Sequence, residues 1–318
     1  MPLPTSRDVH VDQLLTNVSI AYSNQSYIAD EIFPLVPVRK QSDIVPKYDQ
    51  SHWFRDEAKL RAPGTYSVEG GYSVDTSDTY YCPRFSFSKG IPDETRDNAD
   101  QPFDLDREAT EYVTDKLMMK RERAFATDFF TTSVWTTDKT GGTDFTVWSN
   151  YAASNPLVDV TAYKDAVEAL IGREPNKFVI GKEVLVQLQW HPDLVDSIKY
   201  TQKGILTEDI IQSLLGFDSL LVGRTITTAT IEGTAEASVV YSRIWGKHGL
   251  MAYVPQSPSL RTPAAGYTFV WQRVPAAKQY IVRHRDDRAE KDIVEANSYF
   301  DQKVTAARAG LFLSGAVS

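Results

Sequence analysis

The densest run of ionisable side chains is His284-Arg285-Asp286-Asp287-Arg288-Ala289-Glu290-Lys291-Asp292. Two adjacent carboxylates, Asp286 and Asp287, are the residue types that share general acid and base work in a hydrolase. Adjacent residues of an extended segment point to opposite faces, so this pair converges on one atom only in a special turn. Charges of both signs alternate here between two apolar stretches, the pattern of a solvated or subunit-facing turn. The single cysteine, Cys82, lies between Tyr81 and Pro83 with no histidine near it in sequence, and is expected to be an inert, partly buried thiol. The five histidines (His10, His52, His191, His248, His284) stand far apart, none at ligand spacing from another His or from the Cys. Lys120, Arg121 and Arg123 could touch phosphates, but Glu122 interrupts them and no aromatic platform interleaves, so a helix face making salt bridges is expected. Trp53, Tyr80 and Tyr81 could form a sugar-binding platform, although Tyr and Trp are equally the residues of subunit interfaces. Phosphate loop, dinucleotide fingerprint, zinc-protease helix and nucleophile elbow are all missing from the sequence. The expectation is a protein without catalytic residues, cofactor or metal.

The 318 residues suffice for one large or two ordinary domains. With 42% hydrophobic and 24% charged residues the chain has the composition of a globular protein, and 11% aromatic is somewhat rich. A net charge of −8 argues against a protein that coats nucleic acid with a basic face. One cysteine allows no intrachain disulfide, the start "MPLPTSRDVH" carries no signal pattern, and no run is long and apolar enough for a membrane helix. A soluble protein made in the cytosol is expected.

Residues 1 to 48 read as an arm, with an early helical patch over Val11 to Tyr22 and with Pro34, Pro37 and Pro46 cutting the remainder into short extended pieces. The segment "TYSVEGGYSVDTSDTYYC" (65–82) then alternates Tyr66, Val68, Tyr72 and Val74 with polar residues, the period of a ribbon with one apolar side. A two-stranded ribbon is marginal in water, so this one needs a partner surface. Its large side chains, Trp53, Phe54, Tyr66, Val68, Tyr72, Val74, Tyr80 and Tyr81, are the candidate inter-subunit contacts.

The clearest helix is expected from near Pro102 to about Phe130, about 40 Å long. Acidic residues lie early and basic ones later, and Leu105, Ala109, Tyr112, Val113, Leu117 and Phe125 trace a narrow apolar stripe. A strut lying across a sheet fits that stripe. Beyond it the pattern turns to compact α/β. Helices are expected at Tyr163–Ile171 ending at Gly172, around Val184–Leu188, from Pro192, and at "EDIIQSLLG" capped by Thr207. Strands are expected at Lys177–Ile180, Leu220–Val222, Ser238–Tyr241, Leu250–Val254, Tyr267–Trp271 and Gln279–Val282.

The order of elements, a proline-marked arm, a ribbon ending in "FSFSKGIPDE", a charged spine helix, a compact α/β unit and closing strands through "YIVRHRDDRAEKDIVEANSYFDQKVTAARAGLFLSGAV", resembles a tailed-bacteriophage major capsid protein of the Hong Kong 97 type over nearly the whole chain. The resemblance implies an α+β capsid fold: N-terminal arm (1–48), extended β-hairpin loop (49–95), peripheral domain with the spine helix (96–150), α/β axial domain (151–265) and closing peripheral strands (266–318), a return of the last strand to the axial domain being left open. It implies hexamers and pentamers of this chain in an icosahedral head around double-stranded DNA, bound without sequence specificity and without a membrane. The extended loop then lies over the adjacent subunit. A ribbon starting by residue 49 leaves no room for a built-in scaffolding segment, so a separate scaffolding protein is implied, along with a portal and a decoration protein as candidate partners. The implied location is the virion, after synthesis and assembly in the host cytoplasm. The alternatives are an encapsulin-type bacterial compartment shell and, from other classes, a hydrolase using Asp286 or Asp287 or a glycan-binding protein using Trp53, Tyr80 and Tyr81.

Overall fold

The computed structural model describes residues 27–99, 104–198, 206–258, 262–272 and 279–318. The helical patch expected at Val11–Tyr22 and the helix start expected at Pro102 lie outside them. Two five-stranded sheets and one long helix organise the remainder.

The first sheet is built on the 14-residue strand Lys291–Val304. Its second half pairs antiparallel with Gly266–Trp271, which takes the arm strand Leu35–Val38 in parallel on its other side. Its first half is flanked by Tyr280–Asp286 and by Arg84–Pro92, both antiparallel. The segment "FSFSKGIP", expected as the tail of the loop, is therefore a core strand, because Phe85, Phe87 and Ile91 alternate onto the face that the helix covers.

The spine helix, Leu105–Asp128, runs 24 residues, about 36 Å. Asp104 caps it by accepting the Arg107 N–H at 3.1 Å, and Asp106 and Glu108 complement the positive end of its dipole. Ala109, Val113 and Leu117, four residues apart, pack on Ile91, Val294 and Ala296, with Leu105 and Tyr112 half-buried at the margin. Phe125 leaves this cluster for the main core, where its ring meets Phe33 edge-on at 4.8 Å and Trp245 at 5.7 Å. One helix thus spans two cores.

The second sheet has the order Thr137–Thr140, Gly310–Ser314, Gly249–Ala252, Lys177–Gly181, Ser219–Gly223. It crosses the division expected at 150, since Thr137–Thr140 lies outside 151–265, and Gly310–Ser314 joins it from the closing strands, the return that the sequence leaves open. The helix Pro156–Ile171 starts seven residues earlier than expected, with the Asn155 side chain accepting the Val158 N–H at 3.2 Å and Pro156 in the first turn. It ends at Gly172 in the left-handed region, φ +68°. The helix Glu208–Leu215 likewise ends at Gly216, but the side chain of Thr207 makes no capping bond. The strand expected at Ser238–Tyr241 is replaced by a 3₁₀ turn, Glu236–Ser238, and the ribbon Ile226–Thr228/Tyr241–Arg243.

Replacing Leu117 by Asp puts an unpaired carboxylate between helix and sheet. We expect a loss of roughly 3–5 kcal/mol in denaturant unfolding. A Leu117→Asp protein as stable as the parent would show that the stripe does not hold the helix.

Candidate inter-subunit surface

The loop between residues 49 and 73 is anchored only at its root. Asp49 starts the short helix Gln50–Trp53 by accepting the Ser51 N–H at 2.9 Å, a bond that holds its carboxyl below the usual range. The Gln50 amide donates to the Leu170 carbonyl near the end of the helix 156–171. Trp53, Tyr48 and Tyr72 group their rings at 5.8–6.2 Å centroid separations. Phe54 lies against Gly172, where a Cβ would stand 3.4 Å from the ring.

Past the root the chain leaves the body. Leu60 and Tyr66 are fully exposed, and Val68 and Tyr72 are 57% and 64% exposed. The hydrogen bonds within 55–69 are local: Arg55 to Glu57, Thr65 N–H to the Ala62 carbonyl, and Arg61 to the Thr65 carbonyl. The period-two pattern of Tyr66 to Val74 does not produce a ladder across Gly70-Gly71. Instead the arm supplies the partners, Lys47–Tyr48 pairing with Val74–Asp75 and Ser42–Ile44 with Thr79–Tyr81. Residues 66–73 have no strand beside them, and their backbone stays irregular.

Seven of the eight candidate contacts, Trp53, Phe54, Tyr66, Val68, Tyr72, Val74 and Tyr81, are exposed in the single chain. Tyr80 is a correction: it is buried, stacks on Phe269 at 4.7 Å and donates its hydroxyl to the Lys40 carbonyl at 3.3 Å. Alternation along Thr79–Tyr81 turns the Tyr81 side chain to the opposite face, while its backbone N–H donates to the Asp301 carboxylate at 3.0 Å. Trp53, Tyr80 and Tyr81 therefore do not present one platform to a sugar. Cys82 is fully buried beside Tyr80, and burial pushes its thiol up to about 12.

A groove of about 640 Å³ opens between the loop root, the first sheet and the end of the helix 156–171. Val36, Ile44, Trp53, Ile171 and Phe269 are among its lining residues, with Arg173 in the same wall.

The paired aspartates lie in a hairpin turn. Asp286 accepts the N–H groups of Arg288 and Ala289 at 3.2 and 3.3 Å, and Glu290 completes the turn at φ +44°. The side chain of Asp287 is 92% exposed. Arg285 engages Asp93 and Asp292, while Arg96 bridges Asp292 and Asp106, tying hairpin, spine helix and the short helix Asp93–Asp97 together. Among the described residues no group of three or more His, Cys, Asp or Glu could hold a metal ion. His191 meets Ser154 Oγ at 3.0 Å, His248 accepts the Gly315 N–H at 3.0 Å, and burial holds both imidazoles below their usual value.

The residues that sequence reasoning undervalued are Arg121 and Glu122. Arg121 falls on the stripe four residues after Leu117, is buried, pairs with Asp30 at 2.8 Å, donates to Ser298 Oγ at 3.0 Å and lies 4.8 Å over the Phe300 ring. Glu122 is fully buried. Its carboxylate accepts the Ile28 and Ala29 N–H groups at 3.0 and 2.9 Å, the Trp245 Nε1–H at 2.8 Å and the Thr225 hydroxyl at 3.1 Å. Burial pushes its pKa up, and these donors pull against that shift. A charged residue on an apolar stripe was the available signal.

No family model matches the chain. Two curated relatives carry the name major capsid protein. That of Burkholderia phage BcepMu is 26% identical over 313 residues, 96% of each chain. That of Pseudomonas phage JBD67 is 29% identical over 248 residues, 76% of this chain and 77% of the relative. A phage-related protein from Bordetella bronchiseptica shares the fold with a TM-score of 0.71 at 21% identity, covering 93% of this chain and 94% of that one. The capsid of cyanophage P-SCSP1u follows at TM-score 0.62 and 14% identity, over 98% and 94% of the two chains. An encapsulin complex from Synechococcus elongatus has the same fold at TM-score 0.55 and 8% identity, over 96% and 95%.

Exchanging residues 60–69 for a Gly/Ser segment of equal length should leave thermal unfolding and circular dichroism close to those of the parent. Extending the exchange to Cys82 removes the buried Tyr80 and Cys82, at a cost of at least roughly 3–5 kcal/mol. Unfolding of the 60–69 variant would show that the segment belongs to the subunit's own core. Alanine in place of Glu122 leaves four donors facing an apolar gap, and we expect a loss of roughly 3–5 kcal/mol in denaturant titration. A loss below about 1 kcal/mol would mean the carboxylate is dispensable.

Proposed function

We infer that this chain is a major capsid protein whose copies form the shell of a phage head. The observation that carries the reading is its relationship, over 96% of its length, to a phage protein of that name. The geometry supports it: a loop held at its root, with Leu60 and Tyr66 fully exposed beyond it, is suited to a contact supplied by another copy. In the finer form of the reading the chain is of the Hong Kong 97 type. Its hexamers and pentamers close an icosahedral head around double-stranded DNA, the loop of each subunit lies over the next, and the unit built around residues 151–265 points to the capsomer centre. A net charge of −8 suits a wall that must pack DNA densely and later release it, since tight phosphate contacts would retain it. The reading includes portal, scaffolding and decoration proteins as partners, assembly in the host cytoplasm and residence in the virion.

The encapsulin-type compartment is the second reading, favoured by the shared fold with the Synechococcus complex. Relationship to phage proteins over 96% and 76% of the sequence favours the first. Among the described residues no helix is long and apolar enough to cross a membrane.

Electron microscopy of the expressed chain, alone and co-expressed with a candidate scaffolding protein from the same genome, tests the reading. Closed icosahedral shells are expected, and the variant exchanged at residues 60–69 should lose them while staying soluble. Dispersed subunits from the parent chain under both conditions would overturn the assignment.

A further inference from the structure

The exposed loop and the groove beside its root are different surfaces of one chain, and each has what the other needs. The loop offers Tyr66 and Val68, held away from the body by a segment whose hydrogen bonds are all local. The groove offers an apolar wall with a volume in the range that encloses a small organic ligand. Their charges are complementary as well. Arg173 stacks on Tyr253 and donates to its hydroxyl at 3.0 Å, and no carboxylate pairs with it among the described residues. Glu69, next to Val68, is exposed and forms no ion pair among the described residues.

We propose that the groove receives the 60–69 segment of a neighbouring copy, with Tyr66 and Val68 seated against Ile44, Ile171 and Phe269 and with Glu69 paired to Arg173. The proposal rests on the reading of the chain as a shell protein and specifies which surface of the next subunit the loop grips. Because donor and acceptor surfaces differ, the contact is heterologous, so every copy both gives a loop and receives one, and in the shell reading the rotation between copies closes the set as a ring and not as an open filament. Tyr66 brings about 150–250 Å² to the contact. A stable pair of free proteins buries about 800 Å² on each side. One clasp therefore does not hold two subunits in dilute solution, and the full set around a ring does.

Cysteines at Val68 and Ile44 test the seat, since Cys82 is fully buried and does not compete. Shells of the Val68→Cys/Ile44→Cys chain, oxidised with diamide and run on a denaturing gel without reductant, should give a ladder of covalent multimers up to the ring size. Either single variant should stay at the length of one chain. Intact shells in which the double variant yields only single chains would overturn the seat while leaving the shell reading standing. Failure of the parent chain to form shells would instead sink the reading itself. The charge pair gives a second measure. Glu69→Arg or Arg173→Glu alone should cut shell yield at least tenfold, and the two together should restore it to within threefold of the parent. A double variant as defective as the single ones would overturn the pairing.

Discussion

Glu122 carries a carboxylate into the interior at the point where the spine helix, the arm at residues 28–29 and the turns around Thr225 and Trp245 converge. A charge so far from water is tolerable only with a full set of donors, and here four groups from three separate stretches of chain supply them. Displacing any one of these stretches leaves the remaining donors aimed at a poorly solvated charge, so the interaction fixes relative position more than it adds stability. Arg121, one residue earlier, reaches Asp30 and Ser298 and thereby ties the same arm to the first sheet. Trp245 is held in place from behind, because a Cβ on Gly223 would fall 2.1 Å from its ring. The placement of both sheets along the spine helix follows from these adjoining residues.

The spine helix was legible in the sequence because its stripe, acidic start and basic middle all agree. Most of the α/β unit was legible for the same reason: short helices ending at Gly172 and Gly216 and apolar strands between them repeat local rules. The failures have physical causes. Asn155-Pro156 is a start signal embedded in a loop-like stretch, and the expectation began only where the apolar period became regular. The alternating pattern of Arg84–Pro92 does not say whether it joins the loop or a sheet. Alternation around Tyr80 reveals two faces but not which of them is inside. Glu122 looks like a mere interruption among cations, since nothing local in a sequence announces donors that lie 94 and 123 residues away.

Exposure divides the chain unevenly. Three clusters account for nearly all large buried side chains, whereas many of the large apolar residues left outside lie on two stretches, the loop with its root and the segment 226–243, where Ile231 is 84% and Val240 71% exposed. Single exposed apolar residues are ordinary on a soluble protein; a run of them on segments with few contacts is not. Well-packed units thus alternate with extensions that make few contacts of their own.

The parallel pairing of Thr137–Thr140 with Gly310–Ser314 joins residues separated by more than half the sequence. The second of these strands is also the neighbour of Gly249–Ala252, so it occupies the interior of its sheet and not an edge. At ribosomal speeds of about 5–20 residues per second the first strand waits on the order of ten seconds or more for its partner to emerge. During that interval the sheet has an unfilled slot, with one edge of Gly249–Ala252 unpaired. The second sheet is therefore whole only once Gly310–Ser314 has been made, and Thr137–Thr140 cannot join it before then.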